Sequence, residues 1–273
     1  MKVSVIVPTY KPQAYLWECL DSIYNQTFPK TDYELVLVLN GCCEPYNTQI
    51  KEWLSQHSDL QVQYIQTDEG GVSNARNIAL DKARGEYVTF IDDDDLVSPS
   101  YLEELYCCAS PSVVSLCYPY AFKDGKKNVQ LPYAKTEIFN YCVEYNKMDL
   151  QSMVRKFFSG PCMKLIPMSF IQNRRFDVRF KNGEDSLFMF LISDKIRNVA
   201  FTSKEAIYYR RFREGSALTR KHTRNDIISN QIKMMVEYSR VYWNSFGHYS
   251  FYFYVTRLLG AIKGMGYFLK FSH

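Results

Sequence analysis

The sequence has no Cys-x-x-Cys pair, no apolar run of membrane-spanning length, no internal repeat and no Gly-x-Gly-x-x-Gly following a strand. Each absence removes a class of protein. Eight cysteines are present, at 19, 42, 43, 107, 108, 117, 142 and 162, two pairs of them adjacent. Structural zinc sites bring their ligands in closely spaced pairs, and disulfide scaffolds are shorter and denser in cysteine. These thiols are therefore read as reduced, several of them in the core. Without a window of about 18 uncharged apolar residues no spanning helix is expected. The apolar stretch at 3–7 is too short for a signal-peptide core, so the expected location is cytoplasmic. The missing dinucleotide fingerprint argues against a dehydrogenase. A net charge of +4 is too small to imply nucleic acid, and no nucleic-acid partner is expected.

What is present is a core-forming chain: 273 residues, 47% apolar and 16% aromatic, enough to exclude disorder. "VSVIV" (3–7), closed by Pro8, and "ELVLVL" (34–39), closed by Asn40-Gly41, read as fully buried parallel strands. Leu16, Leu20 and Ile23 recur at helical spacing across 13–26. A weaker helix at 46–56, a strand at 62–65, a helix over 72–84 and a strand at 86–91 complete an alternating order. Gly85 is expected to stop the third helix as a C′ glycine. Alternation with short links predicts a doubly wound, mainly parallel α/β sheet, and such sheets bind ligands beyond the carboxyl ends of their strands. After Pro99 the pattern loosens: a helix near 99–109, a strand at 113–117, a helix at 184–193, one or two strands in 199–209 and a helix at 226–245. The expected organisation is a catalytic domain over 1–224, with a nucleotide-binding half (1–98) and an acceptor half (99–224), followed by a helical extension over 225–273.

Three polar groups stand at predicted strand ends. Asp92, Asp93, Asp94 and Asp95 follow the fourth strand directly. Converging carboxylates are costly unless a cation neutralises them, and hard oxygen ligands suit Mg²⁺ or Mn²⁺ held together with substrate phosphates. The competing reading is a solvated acidic turn capping the helix that begins near Pro99. Tyr10 offers a ring and a hydroxyl for stacking on a nucleobase, or merely packs. The Asn40 amide can donate and accept at once, matching a pyrimidine edge, or merely closes a turn.

"VSVIVPTYK", "QTFPKTDYELVLVLNG", "GGVSNARNIALDKARGEYVTFIDDDD" and "FKNGEDSLF" together resemble the GT-A glycosyltransferases of family 2, over roughly residues 1–215. The resemblance implies an inverting enzyme using a nucleotide-diphosphate sugar. It puts Pro8 and Tyr10 at the base-binding strand end, Asn40 where an aspartate usually contacts the base, and Arg76 beside the donor phosphates. Asp92 and Asp94 match the Asp-x-Asp motif: Asp94 is the expected metal ligand, Asp92 and Asp93 serve the ribose or a supporting role, and Asp95 caps the next helix. Asp185 matches the base that takes the acceptor's proton, with Glu184 its neighbour. Residues 204–224 hold seven Lys or Arg in a stretch resembling a lid, from which His222 could add a metal ligand. Lys164 is the remnant of a Trp-x-Lys motif whose tryptophan position is Cys162.

From Tyr238 onward there is no acidic residue, and Arg240, Arg257, Lys263 and Lys270 alternate with aromatics. Such a segment fits an interfacial helix on anionic lipid at the inner membrane face, or a helix packed on the catalytic domain. The acceptor is accordingly expected to be a saccharide or a lipid-linked saccharide. A sugar nucleotidyltransferase is disfavoured because "PTYKP" supplies no glycine-rich loop after the first strand. A non-catalytic basic binding protein is disfavoured by the acidic cluster at the sheet edge.

Overall fold

The buried runs of the first half form the middle of a sheet. The computed structural model describes residues 1–213 and 224–271. Its first elements follow the alternation: β1 (Val3–Thr9), α1 (Ala14–Tyr24), β2 (Tyr33–Asn40), α2 (Tyr46–Gln56), β3 (Val62–Thr67), α3 (Val72–Lys82) and β4 (Tyr87–Phe90). Every residue of β1, β2 and β4 is buried, as continuous apolar runs covered on both faces require. Leu16, Leu20 and Ile23 of α1 lie in the core, joined by Tyr15 and Cys19.

The second half contributes β5 (Leu96–Val97), α4 (Tyr101–Cys107), β6 (Val113–Leu116), β7 (Tyr118–Lys123), β8 (Lys126–Leu131), α5 (Ala134–Glu144), a 3₁₀ segment (Met153–Ser159), β9 (Lys164–Pro167) and α6 (Met168–Ile171). Then come α7 (Glu184–Leu191), β10 (Asn198–Phe201), β11 (Ile207–Phe212), α8 (Arg224–Asn244) and α9 (Phe251–Phe271). The main sheet has seven strands in the order β10-β6-β9-β4-β1-β2-β3. All pair in parallel except β9, which runs antiparallel to β4 and β6. The chain moves outward from β1 through β2 to β3, then returns to lay β4 on the other side of β1. That reversal opens a crevice at the carboxyl ends of β1 and β4. A second sheet, β5-β11-β7-β8, stands beside it, and β5 follows the aspartate run directly.

Two expectations are corrected. Gly85 is not a left-handed helix cap: α3 ends at Ala83 in extended conformation. Glycine is needed at 85 because a Cβ there would stand 2.5 Å from the Ser4 backbone nitrogen. Asp95 does not cap α4, whose N-cap is Ser100; Asp95 is buried. Of the tail's cations, Arg257 of α9 is partly buried and turns its guanidinium onto the Phe158 carbonyl.

The C-terminal helices form a hairpin whose inner face packs on α7. Phe190 of α7 meets Tyr238, Tyr249 and Phe253 with ring centroids at 5.3, 5.2 and 5.7 Å. Among the described residues no helix is long and apolar enough to cross a membrane. All eight cysteines are free thiols, and Cys19, Cys117, Cys142 and Cys162 are buried.

Candidate active site

A cleft of about 860 Å³ opens where β1, β2 and β4 end. Pro8, Thr9 and Tyr10 line it from β1, Asn40 and Gly41 from β2, and Gly70 to Val72 from the start of α3. The four aspartates, the first turn of α7 and the end of β11 (Arg210 to Arg213) complete the wall. Gly41 has a φ of +65°, and a Cβ on it would meet the Gly70 Cα at 2.8 Å, so the Asn40-Gly41 turn needs glycine for conformation and for space.

Arg76 is the centre of this arrangement. α3 buries its guanidinium, which donates from Nη2 to Asp92 Oδ1 at 2.9 Å and from Nη1 to Asp185 Oδ1 at 2.5 Å. Burial works against its charge, but Asp185 and Asp92 outweigh that and hold it above its ordinary pKa. One arginine thus ties the turn after β4 to the first turn of α7, two segments far apart in sequence. On Asp185 burial raises the pKa and Arg76 opposes the rise; the net shift is upward. Glu184 is pushed up to about 7, by burial first and by Asp185 second. Its Oε2 is buried without a hydrogen-bond partner.

The four aspartates do not converge. Among the described residues no three of His, Cys, Asp or Glu come together as a metal cage. Asp92 faces Arg76, and the buried Thr9 hydroxyl donates to Asp93 Oδ2 at 2.5 Å. Asp94 Oδ2 accepts from Arg213 Nε at 2.7 Å, while Asp95 Oδ1 accepts from the Arg211 backbone N–H at 2.7 Å. Like charges are relieved by divergence onto separate donors rather than by pointing at one centre. The relief is incomplete. Burial, with the neighbouring aspartates, raises Asp94 and Asp95 and pushes Asp93 up to about 7.

Asn40 acts as a strut at the cleft wall, its amide held at both ends. Its Nδ2 donates to the Thr9 carbonyl at 2.7 Å, and its Oδ1 accepts from the Gly71 N–H at 2.9 Å. The amide ties the end of β1 to the start of α3. Tyr10 is half exposed at the cleft rim, its ring against Gly41. Lys164 is fully buried, donating to the Gly160 and Cys162 carbonyls at 2.6 Å each, and burial lowers it to about 7. It lies outside the lining of the cleft. His222 falls outside the described residues.

Several participants went unread in the sequence. Thr9 holds Asp93, and Glu18 and Asp124 pair with Arg211 at 2.8 and 2.6 Å. No pattern in the chain signals those pairs. Arg210 and Arg213 were legible only as members of a basic run. The structure sets Arg210 on strand β11, lining the cleft, and Arg213 against Asp94.

The pattern of "Glycosyl transferase family 2" matches residues 4–175. Poly(ribitol-phosphate) beta-N-acetylglucosaminyltransferase TarS of Staphylococcus aureus is 41% identical over 104 residues, 38% of this chain and 18% of TarS. The chain thus spans under a fifth of that relative's length. Glycosyltransferase GlyG of Streptococcus pneumoniae serotype 4 is 30% identical over 79% of this chain and 72% of its own. The crystal structure of S. aureus TarS 1-349 in complex with UDP-GlcNAc superposes with a TM-score of 0.74 at 25% identity, covering 100% of this chain and 74% of that one. The strand-end cleft and the length of the matched region lead to one assignment: the chain belongs to glycosyl transferase family 2.

Proposed function

We propose that this chain is an inverting glycosyltransferase that moves a sugar from a nucleotide-diphosphate sugar, with a UDP-sugar as the leading donor, to an acceptor hydroxyl in cell-surface polysaccharide or glycolipid synthesis. The observation that carries the reading is the Arg76 bridge between Asp92 and Asp185 inside the strand-end cleft. It brings a carboxylate suited to proton abstraction beside the groups suited to a diphosphate. The likeness to TarS, solved with UDP-GlcNAc, supports uridine as the base and an N-acetylhexosamine as a first sugar to try.

In this mechanism Asp185 takes the proton of the acceptor hydroxyl as that oxygen bonds to the anomeric carbon. The bond from the anomeric carbon to the diphosphate oxygen breaks on the opposite face, and the nucleoside diphosphate departs. Burial strengthens Asp185 as a base, and Arg76 keeps it ionised and aimed. Tyr10 and Pro8 bound the nucleobase. Asn40 acts through the Gly71 and Thr9 backbone that it fastens, and Asp93 faces the ribose.

Asp94 would hold Mn²⁺ or Mg²⁺. Its Oδ1 has no hydrogen-bond partner among the described residues, and burial, with the Asp92 charge, raises its pKa, a condition that a bound cation would relieve. A site of one or two carboxylates completed by substrate phosphates fits such a cation better than a cage of three would. The metal would supply charge stabilisation for the departing diphosphate. The α8–α9 turn exposes Trp243, Phe246 and Phe251 at 60%, 66% and 61%, in a segment without acids. That tip fits an anionic lipid surface, from which a lipid-linked saccharide would be reached.

The test is a panel of UDP-, GDP- and dTDP-sugars with Mn²⁺ or Mg²⁺, scored by nucleotide release, alongside thermal shift with each nucleoside diphosphate. A shift by UDP that requires the cation and disappears in Asp94→Ala is the expected result. Metal-independent binding, unchanged in Asp94→Ala, would remove the metal assignment. A preference for nucleoside triphosphate with pyrophosphate release would replace the transferase reading itself.

A further inference from the structure

Arg257 lies on α9, outside the cleft, and burial lowers it to about 10. Among the described residues it has no carboxylate at ion-pair distance, although the guanidinium is partly buried and its Nε is enclosed without a partner. Its charge is met by neutral acceptors instead. Nη1 donates to Ser186 Oγ at 3.0 Å, and Nη2 donates to the Phe158 carbonyl at 2.7 Å and to that of Arg155 at 3.4 Å. The ring of Phe253 lies beneath it at 4.4 Å.

These acceptors belong to the two segments that flank Asp185. Ser186 is the next residue in the first turn of α7, and its hydroxyl also accepts from Tyr238 Oη at 2.9 Å. Phe158 is the next-to-last residue of the 3₁₀ segment, and Ser159, which ends it, lines the cleft. A Cβ on Gly160 would stand 3.8 Å from Asp185 Oδ2. Helix α8 closes the same turn from behind: Asn230 Nδ2 donates to the Asn182 carbonyl at 2.9 Å, and Met234 covers Gly183.

We propose that Arg257 is a positioning residue for transfer, a clamp by which the C-terminal hairpin sets the first turn of α7 against the Phe158–Gly160 segment and so aims Asp185. The proposal rests on the reading of Asp185 as the base. It makes the hairpin part of the catalytic apparatus although none of its described residues lines the cleft.

Arg257→Met, Arg257→Lys and Ser186→Ala separate this role from plain stabilisation. Turnover is read as UDP release from UDP-GlcNAc with Mn²⁺, donor binding as UDP affinity, and local order as amide hydrogen exchange at residues 156–160 and 183–187. Arg257→Met is expected to lower kcat by about 10- to 100-fold through misplacement of the base, with donor KM and UDP affinity unchanged. Exchange should rise in both segments. Arg257→Lys should recover part of the loss, and Ser186→Ala should lose less than Arg257→Met. In the double variant the loss should match Arg257→Met alone, since both residues serve one contact. If Arg257→Met does not fold, Arg257→Lys and Ser186→Ala carry the test by the same readouts. Wild-type kcat with wild-type exchange at 183–187, whatever the melting temperature, overturns the proposal. Turnover retained in Asp185→Asn would instead overturn the base assignment, and the exchange result would still report whether Arg257 holds α7.

Discussion

Asp185 and Glu184 sit side by side in the first turn of α7, both lining the cleft, yet their surroundings differ. Asp185 has the Arg76 guanidinium at 2.5 Å, which favours its charged form; Glu184 has a buried oxygen with no partner and a pKa of about 7. A base must be ionised before the acceptor arrives, so Asp185 is the better placed of the two. Asp185→Asn should therefore lower transfer by about 10²- to 10⁴-fold while UDP affinity persists. Glu184→Gln copies the neutral form that its burial favours and should keep turnover within about threefold. Single-turnover rates of the two variants decide the matter, and the reverse ranking would move the base to Glu184. The family resemblance puts Asp185 ahead of Glu184, but the physical ground for that order, an arginine supplied by another helix, is not legible in the sequence.

Among the elements, β2 was the most legible and still held a surprise. Its apolar run begins with Glu34, whose side chain is fully buried. Burial alone would raise that carboxyl, but the Arg84 backbone N–H, Ser4, the Arg84 side chain and Gln63 all donate to it and hold it below its ordinary 4.5. Together they fasten β2 to β1, to β3 and to the turn before β4. Glu34→Ala should cost about 3 kcal/mol in chemical denaturation at neutral pH, since it leaves several buried donors unpaired. A carboxyl depressed in the folded state contributes stability above its unfolded pKa and loses it as pH falls through the folded one. The gap between wild type and Glu34→Gln should therefore be widest near neutrality and close below about pH 4. A gap that does not change with pH would show that the charge is not what matters. Strands such as β1 and β2 were legible because both faces are apolar. The β7–β8 hairpin and α5 were not: β8 is nearly all exposed, so no buried face marks it in the sequence.

For the molecule as a whole, the tail links chemistry to location. One face of the α8–α9 hairpin is spent on α7, while its turn presents Trp243 stacked on Phe246 at 5.5 Å, with Phe251 against the neighbouring Tyr242. Trp243→Ser with Phe246→Ser should reduce the partition onto phosphatidylglycerol vesicles, read by co-sedimentation, by about a hundredfold or more, given roughly 1.5–3 kcal/mol for each of the two buried aromatics, and leave UDP affinity unchanged. Equal vesicle binding by wild type and variant would remove the membrane contact. The tail's composition promised four cations for such a surface, but folding turns Arg257 inward onto the Phe158 carbonyl. The sequence by itself determined the buried strands, their alternation with helices and the acidic and amide residues at the strand ends, because each of these is a local pattern with a period of its own. Only the tertiary structure decided which donor meets each of the four aspartates, that Asn40 is a strut and that Arg76 joins Asp92 to Asp185. Those outcomes depend on contacts between residues far apart in the chain, where burial and the nearest opposite charge, rather than residue type, set the role of each group.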